Sequence, residues 1–380
     1  METDQYIMRT QHNPNRVKID LSALVHNFNA VRELIGPGTG IMGVVKSDAY
    51  GHGLLPVAHA LERAGANCLA VAYMDEAMSL IEAGIELPIV VLCGLLPEHV
   101  LPAVETGLVP VIFDLDMAMH LDVEGRRQNR TVHVFLKVDT GMGRLGISCD
   151  RISDFLKTLV SLRNIRVQGI LSHLSSADDS VRTYTEKQLV TFRRFLCIAH
   201  SLGLDFHSNS LANSAGIMTD HNLYFDMVRP GIMLYGGLPS PDFNAPVFLM
   251  QVMSFYGRVL QVRDVPAGTP ISYGATYVTR KKSRIAILSA GYGDGLPRSM
   301  SGHGYVLIRG CRVPLIGRIC MNTCICDVTD TEVRSGDRVV FMGSLGRESI
   351  TADDIARWAK TVSYEIFCSI GQKNNREYTE

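Results

Sequence analysis

Ile41-Met42-Gly43-Val44-Val45-Lys46-Ser47-Asp48-Ala49-Tyr50-Gly51-His52-Gly53 divides at Lys46. The first half is a short apolar run with β-branched residues, the composition of a buried strand. Ser47-Asp48 is turn chemistry, and Gly51 and Gly53 permit backbone conformations that other residues resist. Lys46 therefore stands at the mouth of a buried strand, half desolvated. Desolvation lowers a lysine's proton affinity and frees its amine to attack a carbonyl, as a Schiff-base lysine must. A lysine before a loop is ordinarily only a snorkelling side chain, so the choice rests on the rest of the chain.

Similar apolar runs recur beyond Lys46, with helical stretches between them. They lie at Cys68–Ala72, Ile89–Cys93, Val109–Phe113, Val132–Val138, Val167–Ser172, Phe206–Leu211 and Met227–Tyr235. Arg151–Leu162 and Glu186–Leu202 read clearly as helices between them. With the Lys46 run this makes eight strands alternating with helices, the count of a (β/α)8 TIM-type barrel. A doubly wound open sheet is the alternative. In a barrel, functional residues gather at the C-terminal strand ends, and a phosphate site follows strands seven and eight. Those ends hold Lys46, Lys137-Val138-Asp139-Thr140, His173 and Arg229. Asn213-Ser214-Ala215-Gly216 and Pro230-Gly231-Ile232 follow the last two strands, with small residues whose backbone N–H groups suit a phosphate.

The expected division is a flexible extension over 1–16, a barrel over 17–240 and a mostly β domain over 245–380. Val17–Asp20 reads as a short strand followed by a helix capped by Asp20 or Ser22. Pro239, Pro241 and Pro246, with Asp242 and Asn244, mark the linker. Strand-like runs dominate beyond it, and only Ala352–Val362 reads clearly as helix.

Composition narrows the classes of function. The chain has 380 residues, 46% hydrophobic and 20% charged, with net charge −1. A large core is expected, and neither nucleic acid nor membrane is an expected partner. No apolar run approaches the roughly 18 residues of a membrane span. The nine cysteines are odd in number and scattered, which suits reduced thiols and a cytoplasmic location. Cys320, Cys324 and Cys326 fall on one face of a strand without a nearby histidine, so no metal is expected.

A strand-end lysine and a phosphate cradle in one barrel suggest pyridoxal 5′-phosphate, whose aldehyde bonds to lysine and whose ring stores electrons from the substrate. Val44 through Gly53 resembles the cofactor-lysine signature of alanine racemases. The resemblance continues through Lys137-Val138-Asp139-Thr140-Gly141-Met142-Gly143-Arg144-Leu145-Gly146, Ser172-His173, Asn213-Ser214-Ala215 and Val228-Arg229-Pro230-Gly231. Beyond the linker it includes Ser272-Tyr273-Gly274, Gly291 to Arg298, Gly317-Arg318-Ile319-Cys320-Met321 and Tyr364-Glu365-Ile366. It covers nearly the whole chain in order.

The resemblance implies interconversion of L- and D-alanine, usually to supply D-alanine for peptidoglycan. Lys46 and Tyr273 would be bases on opposite faces of the α-carbon. His173 would hydrogen-bond Tyr273, and Arg229 would lie between His173 and the cofactor's ring nitrogen. Arg144 and the backbone of Met321 would take the substrate carboxylate. Tyr50, Ser214, Gly231, Ile232 and Tyr364 would hold the phosphate, and Lys137 is a candidate for carbamylation. A homodimer with shared sites is implied too. Two departures stand out: Asn322 where an acid is usual, and Gln372 to Tyr378 in place of the usual Arg-Val-Pro-Arg tail. Tyr364 keeps the pocket small, favouring alanine, with serine the nearest alternative. An amino-acid decarboxylase would place an acid where Arg229 stands, and a barrel-only cofactor carrier would lack residues 245–380.

Overall fold

Seven parallel strands form the wall that carries Lys46. They are β2 (Gly40–Val44), β3 (Cys68–Val71), β4 (Ile89–Val91), β5 (Val109–Ile112), β6 (Val132–Lys137), β7 (Ile165–Leu171) and β8 (Met227–Val228). The structure, a computed structural model, describes residues 13–380. The strand order is β7-β6-β5-β4-β3-β2-β8. Every residue of β3, β4 and β5 is buried, as expected of parallel strands covered on both faces. Helices between the strands supply the outer layer, and side chains cap a few of them by accepting from free N–H groups. Asp20 accepts from Ala23 N at 3.0 Å, and Asp114 accepts from Met117 N at 2.7 Å.

Two strand expectations are corrected. Phe206–Leu211 is not a regular strand. Residues 209–213 close the barrel through isolated bridges, Leu171 to Ser210 and Asn213 to Arg229. Side chains occupy the ladder there: Asn209 Oδ1 accepts from Ile170 N at 3.0 Å, and Asp226 Oδ2 accepts from Asn209 N at 2.8 Å. The Met227–Tyr235 run keeps only two strand residues. Pro230 has no N–H to extend the ladder, and Ile232–Tyr235 winds into a 3-10 turn.

Beyond the linker lies a mostly β unit. Its sheet runs β17-β16-β13-β14-β15-β12-β9-β1-β18, where β1 is Arg16–Asp20, with an added pairing of β16 to β9, and β10 (Pro270–Ile271) pairs separately with β11 (Tyr277–Val278). The strands are β9 (Met253–Val265), β12 (Ser283–Leu288), β13 (Tyr305–Ile308), β14 (Cys311–Ile316), β15 (Cys324–Asp327), β16 (Arg338–Leu345), β17 (Glu348–Ile350) and β18 (Arg376–Thr379). Because β9 pairs with both β12 and β16, six strands form a closed ring, which leaves those edges covered.

The first strand, β1 (Arg16–Asp20), belongs to this sheet rather than to the barrel. It pairs antiparallel with β9 and parallel with β18. The expected extension over 1–16 falls mostly outside the described residues. Asn15, however, is buried and donates to Ser289 O at 2.9 Å and Asp294 Oδ1 at 3.1 Å. Two helices end the chain, Ala352–Ala359 and Ser363–Lys373. The second gave little sign of itself because it has no side-chain cap and carries Gly371 inside it. No helix among the described residues is long and apolar enough to cross a membrane. All nine cysteines are free thiols.

One hydrophobic core runs through both units, and buried polar groups fasten the linker to it. Asn27 donates to Leu234 O at 2.9 Å and Met250 O at 2.7 Å, and accepts from Met250 N at 2.7 Å. Asp353 is buried and accepts from Leu238 N, with both carboxylate oxygens at 3.3 Å. Burial pushes its carboxyl up to about 6, against the lowering effect of Ser363 and of the Leu238 N–H. The folded protein thus binds this proton more tightly than the unfolded chain does. The resulting stability is present at low pH and is lost as pH rises through about 4 to 6. Asp353→Asn keeps a carbonyl acceptor and removes the charge. Relative to the parent it should gain about 1 kcal/mol between pH 5 and pH 7. Thermal denaturation of both proteins at the two pH values checks this; a constant difference would refute it.

Candidate active site

Lys46 follows β2 after Val45 and opens a turn of unusual hand. Ser47, Asp48, Ala49 and Tyr50 all have positive φ, between 52° and 56°. An L-residue in this conformation costs roughly 1–2 kcal/mol, so four in succession cost on the order of 4–8 kcal/mol. Hydrogen bonds within the turn offset part of that cost. Ala49 N donates to Val45 O at 2.8 Å, and Gly51 N to Ser47 O at 3.0 Å. His52 is fully buried, and its Nδ1 lies 3.1 Å from both Ala49 O and Tyr50 O. Burial pushes its imidazole down to about 3, so it is a neutral brace. Gly51 and Gly53 are needed for close approach. A Cβ on Gly51 would lie 2.5 Å from Phe367 O, and one on Gly53 would lie 2.0 Å from Tyr378 Oη.

The turn brings Tyr50 against the end of β8. A Cβ on Gly231 would sit 2.4 Å from Tyr50 Oη, so this cradle exists only because residue 231 is glycine. Ser214 is buried, and its Oγ accepts from Gly231 N at 2.9 Å. Ile232 is buried beside it. Tyr364, on the C-terminal helix, completes the group with its ring 5.9 Å from that of Tyr50. Burial raises both phenols above their ordinary range, so both remain protonated donors. Hydroxyl and N–H donors of this kind suit a dianionic phosphate.

Across the barrel mouth, basic groups share one electrostatic environment. Arg229 is buried and donates to Ser210 Oγ at 2.5 Å, to Leu211 O at 3.3 Å and to Ser172 O. Burial lowers its guanidinium to about 10, which leaves it charged at neutral pH. Lys137, at the end of β6, is held well below its ordinary range by burial and then by the charges of Arg229 and Arg144. His173 is also held well below its range, by burial first and then by Lys137, Arg229, Arg144 and Lys46. The structure thus brings Lys46, Lys137, Arg144 and Arg229 within electrostatic reach of His173. Arg144 itself is exposed, on a loop folded around Asp139. That carboxylate accepts from Gly141 N at 2.9 Å, Met142 N at 2.8 Å and Gly143 N at 3.0 Å.

Tyr273 and Met321 stand apart from this group. They are 69% and 58% exposed, so neither is packed into the barrel mouth of its own chain. Among the described residues no hydrogen bond joins Tyr273 to His173. Tyr273 sits on a turn where Ser272 and Ala275 have positive φ, pinned by Ser272 Oγ donating to Arg318 O at 2.7 Å. Met321 O accepts from Gly293 N at 2.7 Å, while its own N–H has no partner among the described residues. Asn322 is exposed beside it.

Some supporting residues gave no sequence signal. Gln188 is fully buried in a long helix and donates to His173 O at 2.9 Å and Thr140 Oγ1 at 3.1 Å. Nothing in its spacing separates it from a surface glutamine. Ser210, the partner of Arg229, lies in the segment misread as a strand. Asp48 and Arg376, which form an ion pair, are 328 residues apart. Among the described residues no group of three His, Cys, Asp or Glu is placed to hold a metal.

Comparison with known proteins matches this geometry. The sequence profile of alanine racemase, N-terminal domain, covers residues 19–239, and that of alanine racemase, C-terminal domain, covers 252–378. A relative from Syntrophobacter fumaroxidans named alanine racemase is 45% identical over 363 residues, covering 95% of this chain and 96% of that protein. The crystal structure of alanine racemase from D-cycloserine-producing Streptomyces lavendulae superposes with a TM-score of 0.92 at 34% identity, covering 97% of each chain. The Bacillus anthracis alanine racemase with bound L-Ala-P gives 0.89 at 33% identity, covering 97% of this chain and 96% of that one. The Bartonella henselae alanine racemase with covalently bound pyridoxal phosphate gives 0.88 at 31%, covering 96% and 99%. The chain belongs to the alanine racemase family, enzymes that interconvert the two enantiomers of alanine.

Proposed function

We propose that this chain racemises alanine with pyridoxal 5′-phosphate held at Lys46, using Lys46 and a partner subunit's copy of Tyr273 as opposed bases. The observation that carries the reading is the convergence at one barrel mouth of Lys46, the Tyr50–Ser214–Gly231 cradle and the charged Arg229. The cradle fits the cofactor: it would be filled by a single added methyl at Gly231. The Bartonella relative binds the same group covalently, and the Bacillus anthracis relative binds an alanine analogue.

When bound, the cofactor would draw electrons from the substrate's α-carbon and so acidify its proton. Tyr50, Ser214, Gly231, Ile232 and Tyr364 would hold its phosphate. Arg229, charged and spanned between Ser210 and Ser172, would face the ring nitrogen and withhold a proton from it. Lys46 Nζ would take the α-proton on the D face. Tyr273 Oη would act on the L face, supported by His173, whose neutral imidazole can accept a hydrogen bond. Arg144 and the free Met321 N–H would take the carboxylate. Lys137 is poised for carbamylation. Its weakened hold on a proton favours the free amine, which can add carbon dioxide with release of one proton, and the new anion would be attracted by Arg144 and Arg229.

The exposed Tyr273 and Met321 support a homodimer in which each subunit completes the other's site. A ring at Tyr364 leaves room for alanine and, as a minor substrate, serine. A role in supplying D-alanine for peptidoglycan fits the reaction, and nine free thiols suit a cytoplasmic setting.

Borohydride treatment of the purified protein should fix the cofactor on the peptide containing Lys46; labelling of another lysine would overturn the assignment. Tyr273→Phe should slow proton exchange from L-alanine in heavy water by about a hundredfold to ten-thousandfold. Exchange from D-alanine should fall far less, and equal losses would refute the two-base scheme. Mixing inactive Lys46→Ala and Tyr273→Ala proteins tests shared sites. Random exchange of equal amounts should restore roughly a quarter of all sites through mixed dimers. A mixture that stays inactive after proven exchange would mean that each chain builds its own site.

A further inference from the structure

We infer that Arg376, in the last strand of the chain, is a positioning residue for Lys46, acting through Asp48. The inference rests on Lys46 being the cofactor lysine. Left-handed conformations serve L-residues singly and not as runs. A run of four persists only where its surroundings over-determine it. The bonds internal to the turn tie its backbone to itself and do not fix its direction relative to the barrel.

Asp48, two residues after Lys46, makes the outward contacts. Its Oδ1 accepts from Leu54 N at 2.7 Å, and its N–H donates to Glu76 Oε1 at 3.2 Å. Its Oδ2 is paired with Arg376 Nη1, and the same nitrogen donates to Gly51 O at 3.0 Å. One guanidinium nitrogen thus bridges a residue inside the turn and the carbonyl just after it. The pair is partly buried, with side-chain exposures of 23% and 35%, where charge-assisted bonds hold more strongly than in open water.

Arg376 is itself placed by the sheet. Its strand runs parallel to β1 in the register Val17 to Arg376. The turn therefore takes its orientation from the C-terminal domain, although Lys46 belongs to the barrel. Releasing Arg376 would let the turn swing about Val45 and carry the Lys46 amine with it, while the barrel stays folded.

The test uses the full-length protein with its cofactor and four variants. Arg376→Ala removes the bridge, Asp48→Asn keeps the Leu54 cap but removes the charge, and Arg376→Lys restores it. Glu377→Ala disturbs the same strand at the Arg16–Glu377 pair, which does not touch the turn. Amide exchange across Lys46–Gly53 should accelerate about ten- to a hundredfold in Arg376→Ala and Asp48→Asn, the range of a charge-assisted bond. Turnover should fall by a similar factor with KM for alanine within about twofold, since proton transfer and not binding is affected. Arg376→Lys should recover most of both, and Glu377→Ala should alter neither. Unchanged exchange in the first two variants would overturn the inference, and so would equal losses in Glu377→Ala. Faster exchange together with borohydride fixation on a different lysine would instead overturn the reading of Lys46, so the two failures are separable.

Discussion

Gly51 and Gly371 meet backbone to backbone: a Cβ on Gly371 would lie 1.9 Å from Gly51 O. This contact seats the C-terminal helix directly on the turn that carries Lys46. The helix in turn presents Tyr364 to the cradle and packs Phe367 against His52, ring to ring at 4.9 Å. The turn alone is unfavourable, and the helix alone has no side-chain cap. Each is stable because the other is there. The site is therefore a product of the junction between two domains and not of the barrel in isolation.

Burial then decides which basic groups at the barrel mouth carry charge. Arg229 keeps its proton because even a lowered guanidinium titrates well above neutral pH. Lys137 and His173 both have their hold on a proton weakened, by desolvation first and then by the charges around them. The result is one fixed cation beside two nitrogen bases that bind a proton less tightly than usual. That contrast suits the proposed mechanism, in which protons move on one side of the site and a constant charge stands on the other.

Much of this was readable from residue order. The parallel strands were legible because their runs are apolar on both faces, and the strand ends pointed to Lys46, Lys137, His173 and Arg229. The irregular stave at residues 209–213 was not, because Asn209 replaces main-chain ladder bonds with its side chain, and hydropathy does not report that. The Gly51-His52-Gly53 triplet shows locally only that its backbone is free to turn. Its glycines answer to Phe367 and Tyr378, more than three hundred residues away. Arg376 stood in a tail that departs from the family's usual segment, so nothing local marked its pairing with Asp48. Tyr273 and Met321 were found through resemblance alone; their exposed positions in the folded chain explain why no pattern of burial led to them.

The placement of β1 beside β9 and β18 makes the barrel an insertion within the C-terminal sheet. The first described strand needs neighbours that begin at Met253, so roughly 230 residues must emerge from the ribosome before it can pair. At synthesis rates of about 5–20 residues per second, this strand remains an open edge for roughly 10–50 s. It is short and carries Arg16, Lys18 and Asp20 on its outward positions, the charged pattern that discourages pairing with the wrong chain. The barrel can assemble cotranslationally while β1 and β18 wait for each other, and Lys46 acquires its final setting only when β18 arrives.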